Sequence, residues 1–549
     1  MSDEMDMELS GVEEADQAAG AAAAPSRGLY GAAVLMMVAS FVSAITGLVR
    51  LSSLYYLYAN THKGELSAYL QAFGIPDFVY FLVAGGALRT GFVPVFSHFM
   101  ARDQAERAWV MFRNCLWIIV IFSSLVVGVC MVFAGPLTPL AAWGWRAPEY
   151  KPLFDLTTSL MRIMFPAEIF MLIGGLLMGT LNAQKHFMWP ALGPIFYNII
   201  IILAIWLSPR LGGLVAVAYS VPLSALLCNV LLQIPALTKR GARFGFMLDL
   251  KEEGFRRVLR LALPVIFGLA ISEISTVVTK SMATWSDPSL GALAFDVSNR
   301  LWKLPTRFIG AGIAIAVFAY LADHFARDDK EGYRRDFSFG MRSVIFLTLP
   351  PTIAMIILRT PIIMLLCPRT PPEVVSVASD ALFWYGLGII PLSLVYILAR
   401  AYYARHDMIT ALWVGATSEV VTIVGALWLG GPHMMKVPGL AVATTASNTY
   451  QAVLLAIVLW YKVRNLDGRR ILDSLLRQMV PGAAFGVVCW YGMQICYRFL
   501  GHEGLVAKLA VVFAPALAAT AVFLLLAWLF RVEELTSAGG MLMRRFRRH

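Results

Sequence analysis

The sequence predicts an all-α polytopic membrane protein with about 14 transmembrane helices, arranged as two pseudo-symmetric six-helix bundles plus two extra C-terminal helices. Composition, long apolar stretches and an internal repeat lead to this prediction. Of the 549 residues, 59% are hydrophobic and only 14% are charged, whereas soluble domains carry about 25% charged residues. This composition argues against a soluble enzyme and favours a chain that lies mostly in a bilayer.

The apolar stretches account for the number of helices. About fourteen are long enough to cross a hydrocarbon core of roughly 30 Å. They centre near residues 40, 87, 121, 169, 198, 223, 271, 308, 347, 390, 420, 450, 487 and 518. Alternate loops and tails carry about 28 Lys and Arg on one side against about 9 on the other. This bias predicts that both termini are cytoplasmic. It also explains the net charge of +11, so no nucleic-acid partner is expected.

Two pairs of spans reveal the repeat. The second span ends in His98-Phe99-Met100-Ala101-Arg102-Asp103 and the eighth in His324-Phe325-Ala326-Arg327-Asp328. The fourth and tenth spans end in the related stretches 182–188 and 403–408. An offset of roughly 220 to 230 residues indicates two parallel copies of six helices. Repeats of this kind are common in secondary transporters, which hold substrate between the halves.

The predicted domain boundaries follow from this repeat and from the charge distribution. Seven acids precede the first base, Arg27, and predict a disordered N-terminal tail. The basic connector between the bundles is a candidate for a partly helical, amphipathic segment at the membrane surface. The predicted parts are a disordered acidic cytoplasmic tail (1–26), the N-terminal bundle (27–238), a cytoplasmic connector (239–257), the C-terminal bundle (258–464), helices 13 and 14 (465–531) and a basic cytoplasmic tail (532–549).

The eighth span carries four charged residues on one stripe: Asp296, Arg300, Lys303 and Arg307. Helical spacing places them within roughly 60° of one another over about 16 Å of the axis. Charges inside a bilayer cost roughly 2.5 to 3.5 kcal/mol each on insertion scales, so they usually face a wet cavity. The stripe therefore predicts a cationic, water-filled site inside the membrane, and an anion is its natural occupant.

Other spans contribute further intramembrane charges. Arginine suits a diphosphate because its planar fork donates two parallel hydrogen bonds and stays charged. For Arg50, snorkelling to the membrane surface stays open as an alternative. The candidate residues of an anionic diphosphate site are Arg50, Arg89, Arg300, Lys303 and Arg307, and the candidate charge partners or coupling residues are Asp77, Glu273, Lys280 and Asp296.

No motif in the sequence indicates catalysis. There is no G-x-x-x-x-G-K-[ST], H-E-x-x-H or G-x-S-x-G pattern, and the six cysteines form no C-x-x-C pair. We therefore predict a protein that is not an enzyme and has no catalytic residues, metal or cofactor. A transport cycle would then draw on the membrane potential or an ion gradient, because each charge moved across 100 mV is worth about 2.3 kcal/mol.

Several motifs resemble the MurJ/MviN family, the lipid II flippases of the multidrug/oligosaccharidyl-lipid/polysaccharide exporter superfamily. They are AFGIPD (72–77), GALRTGFVPVF (86–96), Asn299-Arg300-Leu301 with Pro305 and Gly310, and Phe165-Pro166 with the stretch 179–182. The resemblance covers nearly the whole chain from about residue 29. It implies alternating access, in which a lipid-linked peptidoglycan precursor crosses the bacterial inner membrane while helices 13 and 14 accommodate its lipid tail. The implied partners are a lipid-linked diphosphate, membrane lipids and, as candidates, cell-wall synthesis proteins.

The resemblance is incomplete at charged positions. Arg300 and Arg50 match family arginines, but Ala44 stands where the first helix usually has another arginine and Leu51 where it has an acid. Arg89, Lys303 and Arg307 resemble cations moved to other positions of the same cavity. These departures keep two alternatives open: a flippase for another polyprenyl-linked glycan, and a non-transporting membrane scaffold for cell-wall enzymes. A drug exporter is disfavoured because a basic cavity repels cationic drugs.

Overall fold

The fold is given by a computed structural model, which describes residues 27–84, 91–464, 466–501 and 504–535, without the side chains of 27–34 and Phe267. All regular elements in these ranges are helices, as predicted. The predicted acidic tail (1–26), all but the first four residues of the predicted basic tail (532–549), and Arg89 lie outside the described residues.

Twenty-two α-helices follow one another along the described chain. The first bundle contains α1 (Arg27–Tyr58), α2 (Lys63–Ala72), α3 (Gly74–Val83), α4 (Val93–Ala101), α5 (Ala105–Val132), α6 (Ala134–Ala141), α7 (Lys151–Met164), α8 (Pro166–Ala183), α9 (Met188–Leu211), α10 (Leu214–Ser224) and α11 (Ile234–Thr238). The second contains α12 (Glu253–Ser286), α13 (Gly291–Pro305), α14 (Ala311–Ala326), α15 (Lys330–Ile357), α16 (Arg359–Leu366), α17 (Pro372–Leu387), α18 (Ile389–Tyr403), α19 (Met408–Leu429) and α20 (Lys436–Val463). The C-terminal pair is α21 (Gly468–Leu500) and α22 (Leu505–Leu529).

These helices confirm the predicted number of spans. Thirteen helical segments of the described chain are long and apolar enough to cross a membrane, and α12, bent by 45°, makes a fourteenth. Several spans consist of two helices in line, such as α7 and α8, which meet at Phe165. Pro166 is the first residue of α8. The backbone N–H at this position makes no hydrogen bond within a helix, so a proline is tolerated there.

The repeat is visible in the backbone of the second and eighth spans. In the eighth span, a π-helical turn at Thr306–Gly310 separates α13 from α14. In the second span, Ala84 and residues 91–92 are also π-helical, on either side of 85–90. Gly310 permits a close approach to α18, because a Cβ there would lie 2.8 Å from Ser393 Oγ. Single π turns are frequent at functional sites, so we expect a functional site at this depth of both spans.

The buried side chains divide the molecule into a closed end and an open end. The closed end contains the loops at 59–62, 142–150 and 287–290, and its core joins residues of both bundles, from Leu51 to Ala443. The open end contains the loops at 102–104, 184–187 and 327–329, and there each bundle has its own core. Apart from α12, the bundles are therefore packed together at one end and separated at the other.

A short 3-10 turn, Trp143–Arg146, joins the bundles at the closed end. The backbone N–H groups of Trp143 and Gly144 donate to Ser281 Oγ (3.0 Å) and Thr284 Oγ1 (3.1 Å) of α12. Trp145 Nε1 donates to the carbonyl of Pro288 (2.8 Å). We call residues 143–145 the closed-end clasp.

The long helix α12 contacts both bundles. At the open end, Val258 belongs to the core of the first bundle. Farther along, Gly268 lies against Leu412 of α19 in the second bundle. Only residues from Glu253 onward are helical in the predicted connector, and 242–249 form no regular structure. Within the connector, which was expected to be partly helical, the described helix from Glu253 is therefore confined to 253–257.

Candidate functional site

Polar side chains from both bundles are exposed in the middle of their spans, between the two open-end cores. They include Asp77 on α3, Ser272 on α12, Arg300 on α13 and Arg307 in the π turn. Charged groups at this depth are stable where water reaches them. We call the space between the bundles, which these residues line, the cleft.

Arg300 and Asp296 form an ion pair at the base of the cleft. Arg300 Nε donates to Asp296 Oδ1 at 2.8 Å, one helical turn away. The Asp296 side chain is 9% exposed, whereas that of Arg300 is 47% exposed. A guanidinium has five N–H donors, so a bond through Nε leaves the Nη edge able to bind an anion. Asp296 thus orients Arg300 without covering it.

Packing on the other sides of α13 holds this pair in place. Trp302 stacks on Tyr385 of α17, with ring centroids 5.1 Å apart. Tyr55 of α1 is fully buried beside Asp296, and its hydroxyl donates to the carbonyl of Leu293 at 3.4 Å. Tyr55 and the closed-end core therefore separate the cleft from the closed-end surface.

A first group of charges surrounds Arg300 from three helices. Asp77 interacts electrostatically with Lys280, Arg300, Arg50 and Asp296. Lys280 lies close to the start of α3, since its Cδ is 3.8 Å from where a Cβ of Gly74 would lie. The guanidinium of Arg50 lies over the ring of Tyr197 on α9, 5.9 Å from its centroid. Arg50 therefore points into the protein rather than to the membrane surface.

A second group lies farther toward the open end. Lys303 interacts electrostatically with Arg307, Arg300, Glu273 and Glu419. Glu419 of α19 accepts a hydrogen bond from Ser272 Oγ of α12 at 3.2 Å. Glu273 interacts with Asp77 as well as with Lys303, and so connects the two groups.

The structure brings eight predicted site residues into one connected electrostatic network: Arg50, Asp77, Glu273, Lys280, Asp296, Arg300, Lys303 and Arg307. The ninth, Arg89, lies outside the described residues. With Glu419, and with Glu168, which interacts with Asp77, the described network has five bases and five acids, a formal charge of 5 − 5 = 0. The described site therefore holds separated positive and negative groups and is not cationic overall, in contrast to the prediction from the stripe alone.

Glu168, Glu419 and Tyr55 belong to this site but were not among the candidate residues predicted from the sequence. Glu419 is the one charged residue between Met408 and Leu429, and a lone acid in an apolar span is a signal that could have revealed it. Tyr55 gave no such signal, because a tyrosine in an apolar helix is ordinary and its position beside Asp296 depends on the packing of α1 against α13.

Known proteins share this architecture. A solved structure titled "Lipid II flippase MurJ, inward closed conformation" superposes with a TM-score of 0.70 at 19% identity, covering 89% of this chain and 98% of that one. An inward-facing multidrug resistance MATE family transporter gives a TM-score of 0.66 at 14% identity, covering 79% and 99%. At these identities, the likeness establishes the fold.

Sequence comparison identifies the family. A probable lipid II flippase MurJ of Vibrio cholerae serotype O1 is 28% identical over 487 residues, 85% of this chain and 89% of that protein. The lipid II flippase MurJ of Burkholderia cenocepacia is 27% identical over 403 residues, 71% and 76% of the two chains. The family model described as "Lipid II flippase MurJ" matches residues 55–511. The chain therefore belongs to the MurJ family.

Proposed function

We propose that this protein translocates lipid II, the undecaprenyl-diphosphate-linked peptidoglycan precursor, across the bacterial cytoplasmic membrane by alternating access. The observation that carries the proposal is the cleft: it is shut at one end, accessible at the other, and holds an oriented, partly exposed Arg300. Family membership supplies the substrate class.

The open end is proposed to face the cytoplasm, with both termini on that side. The basic loops support this orientation, because Lys- and Arg-rich loops stay on the cytoplasmic side. Lipid II made at the inner leaflet would then enter the cleft directly. The cycle would continue when the closed-end clasp opens and the open end shuts.

In this proposal the Nη edge of Arg300 binds the diphosphate, with Arg50 and Lys280 close by. Charge-assisted hydrogen bonds of this kind are roughly twice as strong as neutral ones. The polyprenyl tail stays in lipid along α21 and α22. The membrane potential biases the cycle, since a charge moved across 100 mV is worth about 2.3 kcal/mol.

The second charge group is proposed to contact the glycan or peptide of the headgroup. Lys303, Arg307, Glu273 and Glu419 offer donors and acceptors farther along the cleft. Another polyprenyl-linked glycan is the alternative substrate, since the same donors and acceptors would contact its sugars. Competition between labelled lipid II and O-antigen-type lipids for the purified protein separates the two substrates.

The main experiment is rescue of a strain depleted of its own lipid II flippase. Arg300→Ala is expected to abolish rescue, whereas wild-type protein restores growth and precursor translocation. Arg327→Ala is a matched control, because Arg327 also pairs with an aspartate one turn earlier (Asp323, 2.9 Å) but lies 73% exposed at the open end. Full rescue by Arg300→Ala, at equal protein levels, would refute the role given to Arg300.

Transport itself is tested with purified protein in liposomes under an imposed potential. Lipid II is expected to become accessible on the opposite leaflet. Wild-type protein that folds, binds lipid II and moves none of it would instead support a membrane scaffold that recruits cell-wall synthesis proteins.

A further inference from the structure

We propose that the connector loop, residues 239–251, is a docking site for the anionic headgroups of a phospholipid leaflet, with Phe246, Leu248 and Leu250 inserted at the acyl boundary. The loop covers the part of the connector that precedes α12. The proposal concerns the membrane surface rather than the cleft, and it stands independently of the transported substrate.

The connector loop is attached to the side of α5. The side-chain amide of Asn114, which is fully buried, donates to the carbonyl of Asp249 (2.7 Å) and accepts from its N–H (2.8 Å). Trp117 Nε1 donates to the carbonyl of Gly245 at 3.1 Å. These bonds hold an irregular segment at a defined height along α5.

That height corresponds to the membrane interface. From Cys115 to Val132, the last 18 residues of α5 contain no charged side chain. They span roughly 27 Å, close to the thickness of the hydrocarbon core. Arg113 and Asn114 therefore lie at its boundary, and the connector loop lies beside them.

Three large apolar side chains of the loop point away from the protein. Phe246, Leu248 and Leu250, which occupy every second position of the loop, are 69%, 50% and 64% exposed. The Phe246 ring contacts that of Trp117, with centroids 5.1 Å apart. One and two turns beyond Trp117, Ile121 and Leu125 are also exposed. The apolar row of the loop thus continues the membrane-facing side of α5.

The charges of the loop select the kind of lipid. It has four bases (Lys239, Arg240, Arg243 and Lys251) and one acid (Asp249), a formal charge of 4 − 1 = +3. Asp249 accepts the backbone N–H of Lys251, and the nearby acid Glu252 caps the start of α12. Anionic leaflets attract clusters of this kind.

Arg113 of α5 adds a cation next to the loop. Its Nη1 is 3.7 Å from where a Cβ of Gly245 would lie, and its buried Nε has no hydrogen-bond partner among the described residues. The buried Nε is out of reach of a lipid, but the partly exposed Arg113 side chain would bring its positive charge to a lipid phosphate at the boundary. An acidic soluble protein would complement the positive charges of the loop. It would not cover the apolar row of Phe246, Leu248 and Leu250, which is continuous with the lipid-facing side of α5.

The test is amide hydrogen exchange of residues 242–250 in the full-length protein. The protein is placed in nanodiscs of phosphatidylcholine, alone or mixed with phosphatidylglycerol. These residues lie outside helices and strands, so docking should show directly as protection. Exchange is expected to slow in the mixed bilayer by at least about tenfold, since each basic side chain contributes roughly fivefold to binding an anionic surface.

Two variants separate the charges from the apolar row. Arg243→Gln/Lys251→Gln should lose the protection that depends on phosphatidylglycerol, and Phe246→Ser/Leu248→Ser/Leu250→Ser should lose protection in both bilayers. Arg327→Gln/Lys330→Gln, which changes two exposed bases in and directly after the open-end loop at 327–329 (73% and 86%), should behave as wild type. Equal thermal midpoints of all variants confirm that they fold.

Three outcomes would overturn the proposal. One is equal exchange in the two bilayers, and another is unchanged protection in the Arg243/Lys251 variant. The third is equal protection by glycerol phosphate in detergent, which would assign the site to a soluble anion instead of a lipid surface.

Discussion

Asp296 and Arg300 illustrate how much one pair of side chains can contribute to a membrane site. The carboxylate is almost fully covered, and the guanidinium that it orients remains nearly half exposed. A preoriented donor loses less entropy on binding a diphosphate than a freely rotating one. Asp296 is therefore a positioning residue in our proposal, whereas Arg300 contacts the substrate.

Asp296→Asn should reduce lipid II translocation by roughly tenfold while leaving folding intact. The amide keeps the shape of the carboxyl but loses the charge-assisted bond, which contributes roughly 1.5–3 kcal/mol. The measurement is the initial rate of leaflet exchange of labelled lipid II in liposomes. Asp323→Asn, in the exposed pair with Arg327, should leave the rate unchanged. An Asp296→Asn rate equal to that of wild type would show that Arg300 needs no such partner.

At the residue scale, the sequence indicated which charged side chains lie within the spans better than how they meet. Arg300 and Asp296 are conspicuous because charges are rare in apolar spans. Their pairing follows from helical spacing alone. The contact of Glu419 with Ser272 depends on how α12 crosses α19, and no local pattern encodes that crossing.

Among the structural elements, the closed-end clasp depends on a glycine. A Cβ on Gly144 would lie 2.0 Å from the carbonyl oxygen of Thr284. The 3-10 turn can therefore pack against α12 only because residue 144 has no side chain.

Gly144→Ala should loosen the closed end. Overpacking of this kind costs about 1–3 kcal/mol, so the thermal midpoint should fall by several degrees and amide exchange around residues 143–150 should accelerate. Gly135→Ala provides the control, because a Cβ there meets nothing within 4 Å. Unchanged exchange in Gly144→Ala would mean that the turn is not a clasp.

The C-terminal helix pair is tied to the second bundle by a buried ion cluster. Arg342 of α15 donates through Nη1 to Glu533 (2.8 Å) and Glu534 (2.9 Å), just after α22. Arg342→Ala should cost about 3–5 kcal/mol, because the Glu534 side chain, 2% exposed, would stay buried without its cation. Thermal unfolding measures the loss. Arg477→Ala, in a half-exposed pair with Asp473, should cost no more than about 1 kcal/mol.

This cluster also predicts a pH dependence. The hydrogen bond from Arg342, and then the nearby charge of Arg470, lower the pKa of Glu533 from its ordinary value of 4.5. The resulting stability is fully present above pH 4.5 and is lost as the pH falls through the lowered pKa. Unfolding of the wild type measured over that range should show the loss, and Arg342→Ala should show a smaller one. Parallel pH profiles for the two proteins would contradict this assignment.

The π turns show what the sequence left undetermined at the scale of elements. Glycines occur at matching places in the two spans, Gly85-Gly86 and Gly310-Ala311-Gly312, but glycines alone do not distinguish a π turn from a straight helix. The turn at Thr306–Gly310 depends on the approach of Ser393 from α18. Such tertiary contacts override local helix preference.

For the whole molecule, the number of spans and the two-bundle plan followed from hydropathy and the repeat. The sequence did not predict which end of the molecule is closed, because the helices are similarly apolar at both ends. The structure has the closed end packed and the open end separated.

Cross-linking the closed end should stop the transport cycle. Trp143 N and Ser281 Oγ are 3.0 Å apart, so cysteines at these positions fall within reach of a short thiol cross-linker. Trp143→Cys/Ser281→Cys is expected to lose lipid II translocation after cross-linking, whereas each single variant treated in the same way retains it. Full translocation by the cross-linked protein would refute alternating access through this end.

The shared core at the closed end also bears on how a duplicated protein of this kind could arise. A single bundle on its own would leave uncovered the apolar surface that now meets the other bundle. Large exposed apolar patches favour association, and pairs of identical subunits usually associate about a twofold axis. An ancestor with one bundle is therefore expected to have been a homodimer, and the fusion of two gene copies then freed each half to acquire its own charges.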